Sequence, residues 1–241
     1  AQRIMETLQK DLGMEKLPVH IECFDNSNIQ GTNPVSSCVV FKNAKPAKNE
    51  YRKFNVKTVV GPDDFATMVE VVTRRYTRLI EEEKPLPDLI IIDGGKGQLG
   101  MATEVLRKLG ILDKVTLIGI AKRLEEIFFP EDSIPLYINK KSESLKLIQQ
   151  LRNEAHRFAI TFHRHKRSMN FTVSELTKID GIGKATAEKL LKHFKSVKRI
   201  VAASNEEVAS IAGKRAANLV RSYYDEGSDE GTEVPPNSEI E

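Results

Sequence analysis

Two hydrophobic rhythms run along the chain, and the switches between them mark its elements. Val19 to Phe24, Val35 to Phe41 and Tyr51 to Thr58 are patterned as strands, the last alternating apolar and polar side chains. Turn-forming residues fill Asn26 to Pro34 and Lys42 to Asn49 between them. From Gly61-Pro62-Asp63-Asp64 the period becomes helical, with Phe65, Met68, Val69, Val72, Tyr76, Leu79 and Ile80 on one face until Glu81 to Pro87 ends it. Leu89-Ile90-Ile91-Ile92 is an unbroken aliphatic run closed by Asp93 and two glycines, the mark of a central strand buried on both faces. Lys96 to Leu109 is helical again, with Gly110 as its stop. Leu117 to Ile120 predicts another strand, and Ile127 to Phe129 with Leu136 to Ile138 predict a hairpin. Ser142 then caps a long helix striped by Leu145, Ile148, Leu151, Ala155, Phe158, Ala159 and Phe162.

Three strands followed by alternating helices and strands predict an α/β fold, a mixed sheet with helices on its faces. The order is that of the ribonuclease H-like fold, in which the first strand and the Asp93 strand lie parallel and side by side. From about Phe171 the strand signal vanishes. Val173 to Ile179, Lys184 to Phe194, Val197 to Ala203, Glu206 to Ile211 and Lys214 to Tyr224 predict five short helices, with Ser196 and Ser204 as caps and Ser204 to Glu207 as a capping box. The expected layout is a helical lead-in over 1–16, the α/β domain over 17–168, a second small all-α domain over 169–224, and a disordered tail over 225–241.

Charge sharpens this division. The net charge of the 241 residues is only +3, but Asp225 to Glu241 hold seven acids and no Lys or Arg. The rest of the chain therefore sets 37 Lys and Arg against 27 acids, an excess of ten that favours a polyanionic partner. Cys23 and Cys38 lie in apolar strands without metal-ligand spacing, so they read as reduced core thiols of a cytoplasmic protein. There is no run of about 18 apolar residues to cross a membrane, and no signal peptide. Ala1 to Leu12 resembles mid-helix sequence without an initiator Met, so the chain reads as a fragment of a longer polypeptide.

Candidate chemistry gathers at strand ends. Asp25 and Asp93 each have a plain reading as turn residues, before Asn-Ser and Gly-Gly respectively. Together, at the ends of adjacent parallel strands, they form a different object. Two carboxylates about 4 Å apart repel by about 4 kcal/mol at an effective dielectric of 20, so they require a cation or a shared proton. A hard divalent ion with a phosphate substrate fits that need. His156, one step from the apolar stripe of the long helix, is a third candidate, as metal ligand or proton carrier. Asp63 and Asp64, at a helix start, are adequately explained by the helix dipole, and Asp64 is a candidate auxiliary acid only.

Gly94-Gly95-Lys96-Gly97-Gln98 misses the spacing of a nucleotide-binding phosphate loop, which leaves Lys96 to meet a nucleic-acid phosphate beside the carboxylates. The basic run His163 to Arg167 is a solvated helix end or a backbone-tracking patch. In Leu176 to Thr186, helix, Gly-x-Gly turn and helix follow one another. Gly181 and Gly183 free backbone N–H groups at a helix N-terminus for a phosphate, with Lys178, Lys184 and Thr186 alongside. This is a helix-hairpin-helix pattern, which holds DNA backbones without reading sequence. Gly213, Lys214 and Arg215 stand where a second copy would fall, with one glycine in place of two.

Taken together the motifs resemble the C-terminal half of the UvrC family of bacterial nucleotide excision repair. The resemblance runs from about Leu17 to Tyr224: FDNSNIQG at Phe24 to Gly31, YRKFNV at Tyr51 to Val56, GPDDFATM at Gly61 to Met68, RRY at Arg74 to Tyr76, IDGGKGQL at Ile92 to Leu99, and RNEAHRFA at Arg152 to Ala159, besides the hairpin glycines. It implies a ribonuclease H-like endonuclease domain that makes the 5′ incision with Asp25, Asp93 and His156 around Mg2+ or Mn2+. It also implies a tandem helix-hairpin-helix domain on damaged double-stranded DNA, a monomeric state, and a UvrB-type loading partner whose docking segment lies upstream with a second nuclease domain. The competing expectation is a non-catalytic DNA-binding module, which would give Asp25, Asp93 and His156 no work.

Overall fold

The computed structural model describes residues 1–27, 35–57, 59, 63–121 and 126–226, with the backbone alone for 162–171 and 226. The turn residues 28–34, the Gly61-Pro62 helix start, the side chains of the basic run at 163–167 and the tail beyond 226 lie outside the described residues. The chain divides into two compact units, Ala1–Phe162 and His163–Glu241.

The first unit is a seven-stranded mixed sheet flanked by helices. Its strands are β1 (His20–Ser27), β2 (Val35–Lys42), β3 (Lys45–Pro46), β4 (Arg52–Asn55), β5 (Leu89–Asp93), β6 (Thr116–Ile120) and β7 (Ile127–Phe128). They run in the order β3-β2-β1-β5-β6-β7, and β4 pairs with β2. β1, β5 and β6 are mutually parallel, while β2 and β7 pair antiparallel to their neighbours. Helices α1 (Gln2–Leu12), α2 (Asp64–Glu81), α3 (Gly95–Lys108) and α4 (Glu143–Leu176) complete the unit, with α4 continuing beyond it.

Strand alternation sorts the core into two layers. Ile21, Cys23, Leu89 and Ile91 point to one face, where they pack with Leu8 and Leu12 of α1 and Leu147, Leu151 and Ala155 of α4. Phe24, Ile90 and Ile92 point to the other, against Met68, Val72 and Tyr76 of α2 and Leu99, Ala102 and Leu106 of α3. β5 is buried along its whole length, as its apolar run requires. Each such fully buried Leu or Ile contributes roughly 1.5–3 kcal/mol, which fixes both helix layers on the sheet.

Three local features differ from the sequence expectation. β1 continues through Asp25 to Ser27, because β2 keeps pairing as far as Ser27 with Val35 and the Ser36 hydroxyl bonds the Asp25 carbonyl at 3.0 Å. The hairpin expected over Ile127 to Ile138 is reduced to β7 and a single bridge from Ile127 to Leu136. Pro130 and Pro135 between them lack the N–H groups a longer ladder needs. α4 does not stop at Phe162, since no Gly or Pro interrupts Glu143–Leu176.

The second unit takes up the end of α4 and adds α5 (Lys184–Phe194), α6 (Val197–Ala202), α7 (Asn205–Ala212) and α8 (Lys214–Glu226). Ser196 caps α6, and Ser204 with Glu207 forms the expected capping box on α7. Leu176, Ile182, Leu190, Leu191, Ile200 and Val220 build a separate small core.

Candidate active site

Parallel pairing of β1 with β5 makes Asp25 and Asp93 Cα register partners. Both continue the face of Ile21, Cys23, Leu89 and Ile91, so the two carboxylates emerge side by side under α4. They are buried, at 2% and 5% exposure. α4 is locked at this height by its carbonyl at Ala155, which accepts a 3.0 Å bond from the Ser37 hydroxyl, Ser37 being the β2 partner of Asp25. Ala155 is fully buried, and the next residue, His156, swings out to a largely exposed position with Nδ1 at 3.2 Å from Asp25 Oδ2. Two sheet positions and one helix position thus converge from separate parts of the sequence.

Asp64 is the first residue of α2 and is exposed. Its carbonyl accepts a 3.3 Å bond from the Asn26 side chain, which places the α2 start beside the residue that follows Asp25. Asp63 supplies the cap, accepting from the N–H groups of Phe65 and Ala66. Lys96, on the first turn of α3, has its ammonium 3.0 Å from the Ser133 carbonyl and 4.9 Å from the centre of the Phe128 ring.

Arg152, which opens the RNEAHRFA motif but has no role assigned to it from sequence, is a further candidate for the site. It lies one helical turn before His156, at the edge of the buried stripe, and is half-buried. Burial pushes the Cys23 thiol well up, the charges of Asp93 and Asp25 push the same way, and Arg152 pulls it down. The guanidinium charge acts on Cys23 in the opposite sense to those of Asp25 and Asp93. The i, i+4 spacing of Arg152 to His156 was the available signal.

Behind the site, on the opposite face of β1, lies a second missed group. Glu22 is fully buried, and Arg75 grips it through Nε to Oε1 at 3.1 Å and a terminal nitrogen to Oε2 at 2.7 Å. The Tyr76 hydroxyl donates to it at 3.0 Å, and the His20 ring lies at 2.9 Å. Burial opposes ionisation of Glu22, but the bonds to His20 and Arg75 outweigh it and bring the carboxyl down to about 2.

Among the described residues no cluster of three or more His, Cys, Asp or Glu is arranged to hold a metal by itself. Two neighbouring hard carboxylates nevertheless suit magnesium or manganese. Such ions keep several waters and bind through one or two carboxylates plus substrate phosphates, not through all-protein cages. Asp25 and Asp93 are the residues that fit.

In the second unit the first hairpin turn joins α4 to α5 through Thr177 to Gly183. Gly181 takes φ +93°, and a Cβ there would lie 2.8 Å from Leu219 and 4.0 Å from Arg215 at the start of α8. The two hairpin turns are therefore adjacent. Gly183 is the N-cap of α5 and has open space where a Cβ would stand. Lys178, Gly181, Gly183, Lys184, Gly213, Lys214 and Arg215 are exposed, and Thr186 is half-buried. Lys184 is 3.9 Å from Glu188.

The fold and site define a class: a ribonuclease H-like domain followed by a tandem helix-hairpin-helix domain. Residues 9–160 match the family model for the UvrC RNase H endonuclease domain, and residues 173–221 that for a SAM-like helix-hairpin-helix tandem. UvrABC system protein C of Christiangramia forsetii is 62% identical over 222 residues, 92% of this chain and 37% of that one. The Porphyromonas gingivalis protein of the same name is 60% identical over 220 residues, covering 91% and 37%. The chain belongs to the UvrC family and spans 37% of the length of these relatives. Among solved structures, Ciona intestinalis endonuclease V in complex with inosine-containing DNA aligns with TM-score 0.34 and 22% identity over 63% of this chain and 65% of that one.

Proposed function

We propose that this chain is the incision portion of a nucleotide excision nuclease, cutting damaged double-stranded DNA on the 5′ side of a lesion with Mg2+ or Mn2+. The observation that carries the reading is the buried Asp25–Asp93 register pair with His156 turned onto it. When bound, the ion polarises the phosphate and lowers the pKa of the attacking water. Asp25 and Asp93 hold it, and their place at the end of a rigid sheet fixes where the scissile phosphate must sit. His156 Nδ1, 3.2 Å from Asp25 Oδ2, would carry a proton or complete the ligand set. Arg152 offsets the paired negative charge, and Asp64 stands by as an auxiliary acid. The products are a 3′ hydroxyl and a 5′ phosphate.

The helical unit holds the duplex through its backbone. Gly181, Gly183 and Gly213 open the N-termini of α5 and α8 to phosphates, and Lys178, Lys184, Lys214 and Arg215 add charge. A UvrB-type partner delivers the damaged duplex. The decisive measurement is nicking of a lesion-containing duplex with Mg2+ in the presence of that partner. Asp93→Asn is expected to abolish it; full activity in that variant would overturn the assignment of the Asp25–Asp93 pair as the incision site, whereas a wild-type chain that binds the duplex without ever nicking it would favour the non-catalytic DNA-binding reading.

A further inference from the structure

Phe65 is an apolar ring in an exposed place. It follows Asp64 at the start of α2 and is 52% exposed. Its position is nevertheless defined. A Cβ at Gly97 would lie 2.6 Å and 2.7 Å from Phe65 Cε1 and Cζ, so the ring rests against the first turn of α3, over a glycine whose missing side chain leaves it room. Asn26 ties the α2 start to β1 through its bond to the Asp64 carbonyl, one residue after Asp25. Gly97 lies four residues after Asp93. The ring is thus bracketed by the chain segments that leave both carboxylate-bearing strands. α2 and α3 cover the sheet face opposite α4. The sheet edge that carries the two acids is therefore flanked by His156 on one layer and by Phe65 on the other.

A polynucleotide whose phosphate reaches Asp25 and Asp93 has its bases on one side or the other of that edge. The α4 side presents charged and polar groups, Arg152 and His156. The α2 side presents a half-exposed phenyl face. We propose that Phe65 is a positioning residue that stacks on a nucleobase of the strand being cut, next to the scissile phosphate. Stacking on an aromatic face accepts any base and requires that base to be unstacked from its neighbour, which suits a cut whose place is not set by sequence. This rests on the nuclease reading above, and the test separates the two.

The test titrates the chain, with Ca2+ in place of Mg2+, into single-stranded oligonucleotides carrying 2-aminopurine at successive positions. Wild type and Phe65→Trp are expected to quench the probe at one position. Phe65→Ala and Phe65→Leu are expected to lose that quench and to weaken binding roughly 5- to 150-fold, the range for one base-aromatic stack. In cleavage with Mg2+ they raise KM more than they lower kcat. Leu keeps the apolar bulk without the π face, so a quench and an affinity preserved in Phe65→Leu overturn the proposal. Asp93→Asn is expected to keep the quench and lose cleavage. Cleavage retained in Asp93→Asn overturns the placement of the nuclease site at the Asp25–Asp93 pair, on which this proposal rests, while the quench reports the Phe65 contact independently.

Discussion

Asp25 and Asp93 are register partners on neighbouring parallel strands, buried on the same face of the sheet. Parallel neighbours sit about 4.8 Å apart, so neither carboxylate can be displaced from the other without breaking the ladder. The two should therefore act as a unit. Asp25→Asn and Asp93→Asn are each expected to cut metal-dependent nicking to a small residual rate, and the double variant is expected to cut no more slowly than either single one. Single-turnover nicking measures this. A further tenfold loss in the double variant would mean that the carboxylates work separately.

His156 reaches the pair from an exposed position, with 62% of its side chain open to solvent. Its replacement removes no core contact, so stability and chemistry should part company. His156→Ala is expected to slow nicking by about 100- to 10,000-fold, the range for a lost proton-transfer group. The melting temperature should move by no more than about 2 °C. A parallel loss of both would make His156 a structural residue.

Glu22 sets an acid limit on the first unit. Its carboxyl titrates near 4.5 in an unfolded chain and at about 2 in the fold, held there by His20 and Arg75 against the opposing effect of burial. A depressed folded pKa stabilises the fold fully above about pH 4.5 and is lost as pH falls towards 2. The contribution is about 3 kcal/mol at neutral pH. Glu22→Gln leaves Arg75 buried with its partner charge removed, and is expected to cost about 3–5 kcal/mol at pH 7. Urea unfolding between pH 2 and 7 is expected to give a stability curve for Glu22→Gln that is flatter between pH 2 and 4.5.

The site was half visible in the sequence. A β-branched aliphatic run flanked by Pro87 and Gly94 and ending in Asp93 reads as a central strand, and α4 declares its buried face through Leu151, Ala155 and Ala159, so the acid-bearing strand and the His156 helix were legible from local pattern. The position of Asp25 was less so. Whether β1 ends before it or runs on to Ser27 depends on pairing with Val35 to Ser37, ten residues away. Glu22 with Arg75 was invisible, because a charged residue in an apolar strand declares no partner, and this one lies 53 residues on. Arg152 and Phe65 lie within the quoted RNEAHRFA and GPDDFATM motifs, yet only the packing of α4 and α3 gives each a direction.

The two glycines of the first hairpin should behave differently when changed. Gly181 holds φ +93° and has Leu219 within 2.8 Å of any added Cβ, so Gly181→Ala strains the backbone and pushes on α8. A cost of about 1–3 kcal/mol is expected, with DNA affinity falling alongside it. Gly183 has ordinary φ and open space around it. Gly183→Ala should cost no more than about 1 kcal/mol, yet the methyl stands where a phosphate would approach the α5 N-terminus, so affinity should fall with little change in melting. Lys184→Ala is expected to reduce the salt slope of binding by about 1, as loss of one phosphate contact does. Fluorescence anisotropy on an undamaged duplex between 50 and 200 mM salt, on the order of the range over which such contacts register, checks all three. Unchanged affinity in Gly183→Ala would move the DNA contact away from this turn.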